Sequence, residues 1–274
     1  MTRSPVAVIA VVFSILSGPG WAASKAELDL LRKAMSIERL LEIMREEGLS
    51  QSEDLREDMF PGRGGTAWRM AISGIYDVPE MQTRFSEAFD KELADTDVTL
   101  LIDFFTSARG REIVRLELEG RSALLEPGVE DAAYEAFSRM EAEGGPRVTL
   151  LRDFVEVNDL VEYNVMGAMN ANLFFMRGLS DGDGFEMSEA DILADIWSRE
   201  AEIRTDTSDW LFAYLAMAYQ PLGFEDLRAY YEFSASPAGQ DLNRALFAGF
   251  DTMFNEMSFA LGRAVSRFMI GEDL

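Results

Sequence analysis

Phe233-Ser234-Ala235-Ser236-Pro237-Ala238-Gly239-Gln240 reads as a corner between two helices, and a version of it stands 129 residues earlier as Phe104-Phe105-Thr106-Ser107-Ala108-Arg109-Gly110-Arg111. In each copy a phenylalanine sits near the end of an apolar helical run. A serine then offers its hydroxyl to the free N–H groups of the next helix. In the second copy Pro237 follows at the first helical position, where a missing N–H costs nothing. Gly110 and Gly239 fall two positions further on, where the spacing predicts close packing against the preceding helix.

The same shift aligns residues on either side. Leu93 falls on Leu222, Asp97 on Asp226, Arg115 on Arg244 and Gly120 on Gly249. Trp68 falls on Trp197 and Asp77 on Asp206, and one added residue brings Gly48 onto Gly178. Asp97 and Asp226 are expected in first helical turns, where a carboxylate complements the helix dipole. Gly120 and Gly249 lie inside helices, where glycine costs about 1 kcal/mol relative to alanine. Their matching positions predict two close helix crossings. A repeat of this length predicts a fold built twice from one unit.

The apolar spacing is helical nearly throughout. Leu28, Leu31, Met35, Leu41 and Met44 follow a period near 3.6, as do Phe224, Leu227 and Tyr231. No alternating β-branched run with hairpin turns occurs, so strands are not expected. Breaks at Gly48, Pro61, Pro127, Gly144, Gly178 and Pro221 divide the chain into about eight to ten helices. Residues 148–177 read as one long helix carrying many Asn, Asp and Glu side chains, with Arg152 and Arg177 as their candidate partners. Residues 240–270 read as a last helix, apolar around most of its circumference and interrupted by Asp251, Glu256, Arg263 and Arg267. The expectation is an all-α bundle of two pseudo-repeated halves, residues 23–146 and 147–274, packed as one body without significant β-sheet.

Residues 1–22 read as a secretory signal peptide. Arg3 begins it, Val6 to Leu16 form its apolar centre, Gly18-Pro19-Gly20 break it, and Ala22 supplies the cut site. The apolar run falls short of the roughly 20 residues that span a bilayer. The expected location is the periplasm.

The sequence holds 49 acidic against 25 basic residues, a net charge of -24. Such a surface repels nucleic acid and anionic headgroups. Cysteine and histidine are both absent. That removes disulfides, lipid attachment through cysteine, thiolate nucleophiles, Cys/His zinc sites and Ser-His-Asp triads.

The segment Phe233 to Gln240 resembles the short signature of a bacterial family named domain of unknown function 2059: an aromatic, a few residues, then Ser-Pro-x-Gly before Gln or Lys. The copy at Phe104 is weaker, with Ala108 in place of the proline. The resemblance covers about a quarter of the chain and implies an exported helical domain. It implies no reaction and carries over no catalytic residues.

Site candidates are few. Asp181-Gly182-Asp183-Gly184 resembles the centre of a calcium loop, but an EF-hand register would put Leu179 and Ala190 at ligand positions, so an acidic loop is expected and no metal site is assigned. Glu53, Asp54, Glu57 and Asp58 read as a solvated face. Asp159 and Glu162, three apart on a helix, are the one carboxylate pair that suggests hydrolysis. The 15 Met and 19 Phe suggest an apolar groove or plain core. With Asn170 on the 148–177 helix and Phe250, Phe254 and Met257 on the last, Asp159 and Glu162 are the candidate binding residues. The expected function is a non-catalytic envelope protein, without cofactor, that binds a partner protein or apolar ligand. A carboxylate-dependent envelope hydrolase and a structural or stress-related helical protein are the alternatives.

Overall fold

The computed structural model describes residues 22–181 and 187–271. These residues form thirteen α-helices and no strand. The helices are α1 Lys25–Ala34, α2 Ile37–Met59, α3 Gly65–Ile75, α4 Val78–Glu92, α5 Thr99–Thr106 and α6 Ala108–Ala123. After them come α7 Val129–Glu143, α8 Pro146–Val157, α9 Leu160–Ser180, α10 Glu189–Ser198, α11 Glu200–Ala218, α12 Phe224–Ser234 and α13 Pro237–Met269. The residues read as a signal peptide lie outside the described residues, apart from Ala22, and most of the acidic loop is likewise outside them. Among the described residues no helix is long and apolar enough to cross a membrane.

The two corners have the same local geometry. Ser107 accepts from the Gly110 N–H at 3.0 Å and donates to the Phe104 carbonyl at 2.6 Å. Ser236 accepts from the Gly239 N–H at 3.1 Å and donates to the Phe233 carbonyl at 2.6 Å. A Cβ on Gly110 would overlap the Phe104 carbonyl, and one on Gly239 the Phe233 carbonyl. Glycine is therefore demanded by the backbone of the preceding helix. The corners also meet: the rings of Phe104 and Phe233 stack 3.7 Å apart, 8° from parallel.

The stretch expected as one helix over 148–177 is two. It breaks at Asn158 and Asp159, the latter in the left-handed conformation at φ 48°. The Asn158 amide donates back to the Phe154 carbonyl at 2.9 Å, while Gln240 and Asn243 of α13 donate to the Val157 and Asn158 carbonyls. Side-chain amides thus satisfy the groups that an unbroken helix would have paired with its own backbone. Among the described residues the other left-handed non-glycine residue is Ser36, at φ 53° in the equally short joint between α1 and α2. Joints of this kind carry neither Gly nor Pro, so the observed helices outnumber those expected.

Two of the cores are joined by α6 and α13, each reaching across from its own half of the chain while keeping its packing there. The first gathers α1, α2, α4 and α5 around Leu31, Leu41, Met81, Phe85, Phe89 and Leu101, and α13 completes it with Leu242, Ala245, Met253 and Met257. The second gathers α8, α11 and α12 around Leu151, Phe154, Leu215, Tyr219 and Leu227, and α6 enters it with Ile113 and Leu116. Gly120 and Gly249 are the crossing points. A Cβ on Gly120 would press on Ala218 at 3.0 Å and approach the Tyr214 ring, and one on Gly249 would meet the Phe85 ring at 2.7 Å. Trp68 and Trp197, aligned by the 129-residue shift of the sequence, differ in surroundings. Trp68 is fully buried between Phe60 and Phe268, whereas Trp197 is 62% exposed on α10. Helices α9 and α13 run side by side, with Gly178 against the Phe259 carbonyl and Gly262 against the Phe175 carbonyl.

Candidate functional site

Helices α6 and α13 cross between the two halves of the chain, and a space lies where these halves face each other. This cavity has a volume of about 530 Å³ and is lined from α2, α5, α6, α8, α9, α11, α12 and α13. Its walls are aromatic and aliphatic: Trp210, Phe233, Leu246, Phe247, Phe250 and Phe254 among others. Its size lies within the roughly 300–1,000 Å³ of small-molecule sites.

One wall carries a polar cluster. Glu117 of α6 accepts hydrogen bonds from the Tyr219 hydroxyl at 2.6 Å and the Tyr230 hydroxyl at 3.2 Å. The Tyr214 hydroxyl donates to the Glu117 backbone carbonyl at 2.9 Å. The carboxylate comes from the first half and all three tyrosines from the second. Burial pushes the Glu117 pKa upward, and the two tyrosine hydrogen bonds oppose that only in part. Burial, with the Glu117 charge adding to it, holds all three tyrosines in their neutral form above the ordinary tyrosine range. Arg121, one turn beyond Glu117, also lines the cavity, but Glu47 holds its guanidinium through two bonds of 2.8 Å.

The wall formed by α13 is different. Phe247, Phe250, Asp251 and Phe254 fall at the spacing of one helical face and all four line the cavity. Tyr163 of α9 stacks on Phe247 with centroids 4.4 Å apart. One turn along both helices, Gly167 faces Asp251, and a Cβ on this glycine would lie 3.0 Å from the Asp251 carboxylate. The Asp251 pKa is raised by burial alone. Among the described residues neither a hydrogen bond nor an opposite charge offsets that burial.

Of the candidate binding residues, Phe250 and Phe254 line the cavity. Met257 lies on the same helix but is buried in the first core. Asn170 is half-buried on α9, away from the lining. Asp159 and Glu162 are exposed outside it, and Glu162 pairs with Arg204 at 2.9 Å. Arg152 and Arg177, expected to serve the polar side chains of this region, pair instead with Glu141 and Glu189. The expected first-turn aspartates divide: Asp97 accepts from the Thr99 N–H at 3.0 Å just before α5, and Asp226 pairs with Arg109 of the other corner at 2.7 Å.

Glu117, the three tyrosines and Gly167 carried no signal in the sequence, because they converge from helices far apart in the chain. Asp251 stood in the sequence only as one of four charged residues interrupting the last helix, and was not among the site candidates. Among the described residues no group of three His, Cys, Asp or Glu side chains is placed to hold a metal. Compared with protein-family models, curated proteins and solved structures, the chain matches none.

Proposed function

We propose that the protein is an exported, non-catalytic binding module whose cavity between two duplicated halves holds an apolar ligand. The observation that carries this reading is the cavity itself: about 530 Å³, walled by aromatic and aliphatic side chains from both halves. Apolar walls around a space of this size let a ligand bury its own apolar surface there. Two further features support a binding role over hydrolysis. Acid–base pairs work when two environments push their pKa values apart, whereas Glu117 and Asp251 are both pushed up. The Glu117–tyrosine cluster also ties one half to the other, which is what a rigid, preformed site requires. Duplication is supported by the order of helices: α1 to α6 correspond in turn to α8 to α13, with α7 as the link. Export is supported by the charged, apolar and small-residue pattern of residues 1–22 and by the resemblance to an exported family.

The test is native mass spectrometry of the mature protein purified from the periplasm of its own host. The expected outcome is an adduct that survives gentle ionisation and leaves on activation, together with its loss in Ala171→Phe, which fills the cavity from α9. A wild-type protein free of adduct, whose organic extract also holds no bound molecule, would count against the reading.

A further inference from the structure

The charge of the cavity wall narrows the class of ligand. We infer that the cavity takes an apolar cation, an amphiphilic amine whose ammonium sits against Asp251 while its hydrocarbon body lies among the phenylalanines and leucines. This rests on the binding role proposed above.

Four observations converge on it. First, the charged side chains that line the cavity are Glu117, Arg121 and Asp251. Glu47 occupies Arg121 in a two-bond pair, so an anionic ligand meets two carboxylates and no uncommitted cation. Second, Asp251 is half-buried in the cavity wall without a compensating partner among the described residues, so its partly desolvated carboxylate is open to a positive charge from a ligand. Third, the carboxylate stands within one helical face of Phe247, Phe250 and Phe254, with Tyr163 stacked on Phe247. Aromatic faces around an ammonium add cation–π attraction. Fourth, α9 carries glycine where it faces the carboxylate, and any larger residue there would crowd the Asp251 oxygen. The helix gives up about 1 kcal/mol of propensity at that position. The acidic surface, with a net charge of -24, draws such a ligand in from solution.

The experiment is isothermal titration calorimetry of the mature protein with three probes of equal chain length: decylammonium, decanol and decanoate. It is run at high salt so that attraction to the outer surface is screened. The expected order is decylammonium, then decanol, then decanoate, with decylammonium preferred over decanol by about tenfold, as suits one partly desolvated charge contact. Asp251→Asn should remove that preference, bringing decylammonium down to the affinity the same variant shows for decanol, while Asp251→Glu should retain it. Decanol binding as tightly as decylammonium, or a preference that survives Asp251→Asn, would overturn the cation assignment and leave the apolar site standing. Failure of all three probes to bind would overturn the site as well.

Discussion

At the scale of single residues, the informative positions are those where one side chain departs from its surroundings. Asp251 is acidic on an otherwise apolar face, and burial raises its pKa. A carboxyl whose folded pKa is raised binds its proton more tightly in the native state. It favours folding below its unfolded pKa, and that contribution disappears as pH rises through the higher folded value. Asp251→Asn should therefore be more stable than the wild type at neutral pH, and the difference should vanish below about pH 4, where the unfolded carboxyl is protonated as well. Melting temperatures of both proteins at the two pH values check this. A difference that is the same at both would mean that the carboxyl titrates normally. The sequence showed Asp251 only as one of four charges interrupting the apolar last helix. It hid Glu117, which on α6 looks like any other member of an acidic helix. What distinguishes Glu117 is a set of tyrosines about a hundred residues away.

At the scale of elements, the corner is the unit that sequence reading describes best. Its serine caps, its proline and its glycine interact within a few residues, so their spacing alone fixes the geometry. The two corner glycines should be intolerant. Gly110→Ala and Gly239→Ala each force a Cβ into a backbone carbonyl, and each should cost about 1–3 kcal/mol. Gly74→Ala, with open space around its Cβ near the end of α3, should instead stabilise by about 0.5–1 kcal/mol. Urea midpoints of the three variants decide between this and a uniform glycine effect. The element least legible in the sequence is the break at Asn158 and Asp159. Apolar periodicity continues across it, and the groups that stabilise it, Gln240 and Asn243, come from α13.

At the scale of the whole molecule, the crossing of α6 and α13 between the halves makes each half depend on the other. Residues 23–146 expressed alone lack α13, which closes the first core, and expose the face of α6 that enters the second. Such a fragment should be largely unfolded or aggregated by circular dichroism, and co-expression with residues 147–274 should recover a folded complex. A first half that folds alone with a cooperative transition would overturn this view of the packing. The sequence by itself determined the helical class, the corners and the positions of the close-crossing glycines, because each rests on interactions a few residues apart or on the steric demand of one missing side chain. It also presented the acidic surface. Only the tertiary structure decided which half each terminal helix completes, that Phe104 and Phe233 stack on each other, and that Phe250 and Phe254 line a cavity with Asp251 and Glu117 while Asp159 and Glu162 lie outside it. Those outcomes depend on contacts between helices far apart in the chain, and local periodicity specifies which face of a helix is apolar without specifying what that face meets.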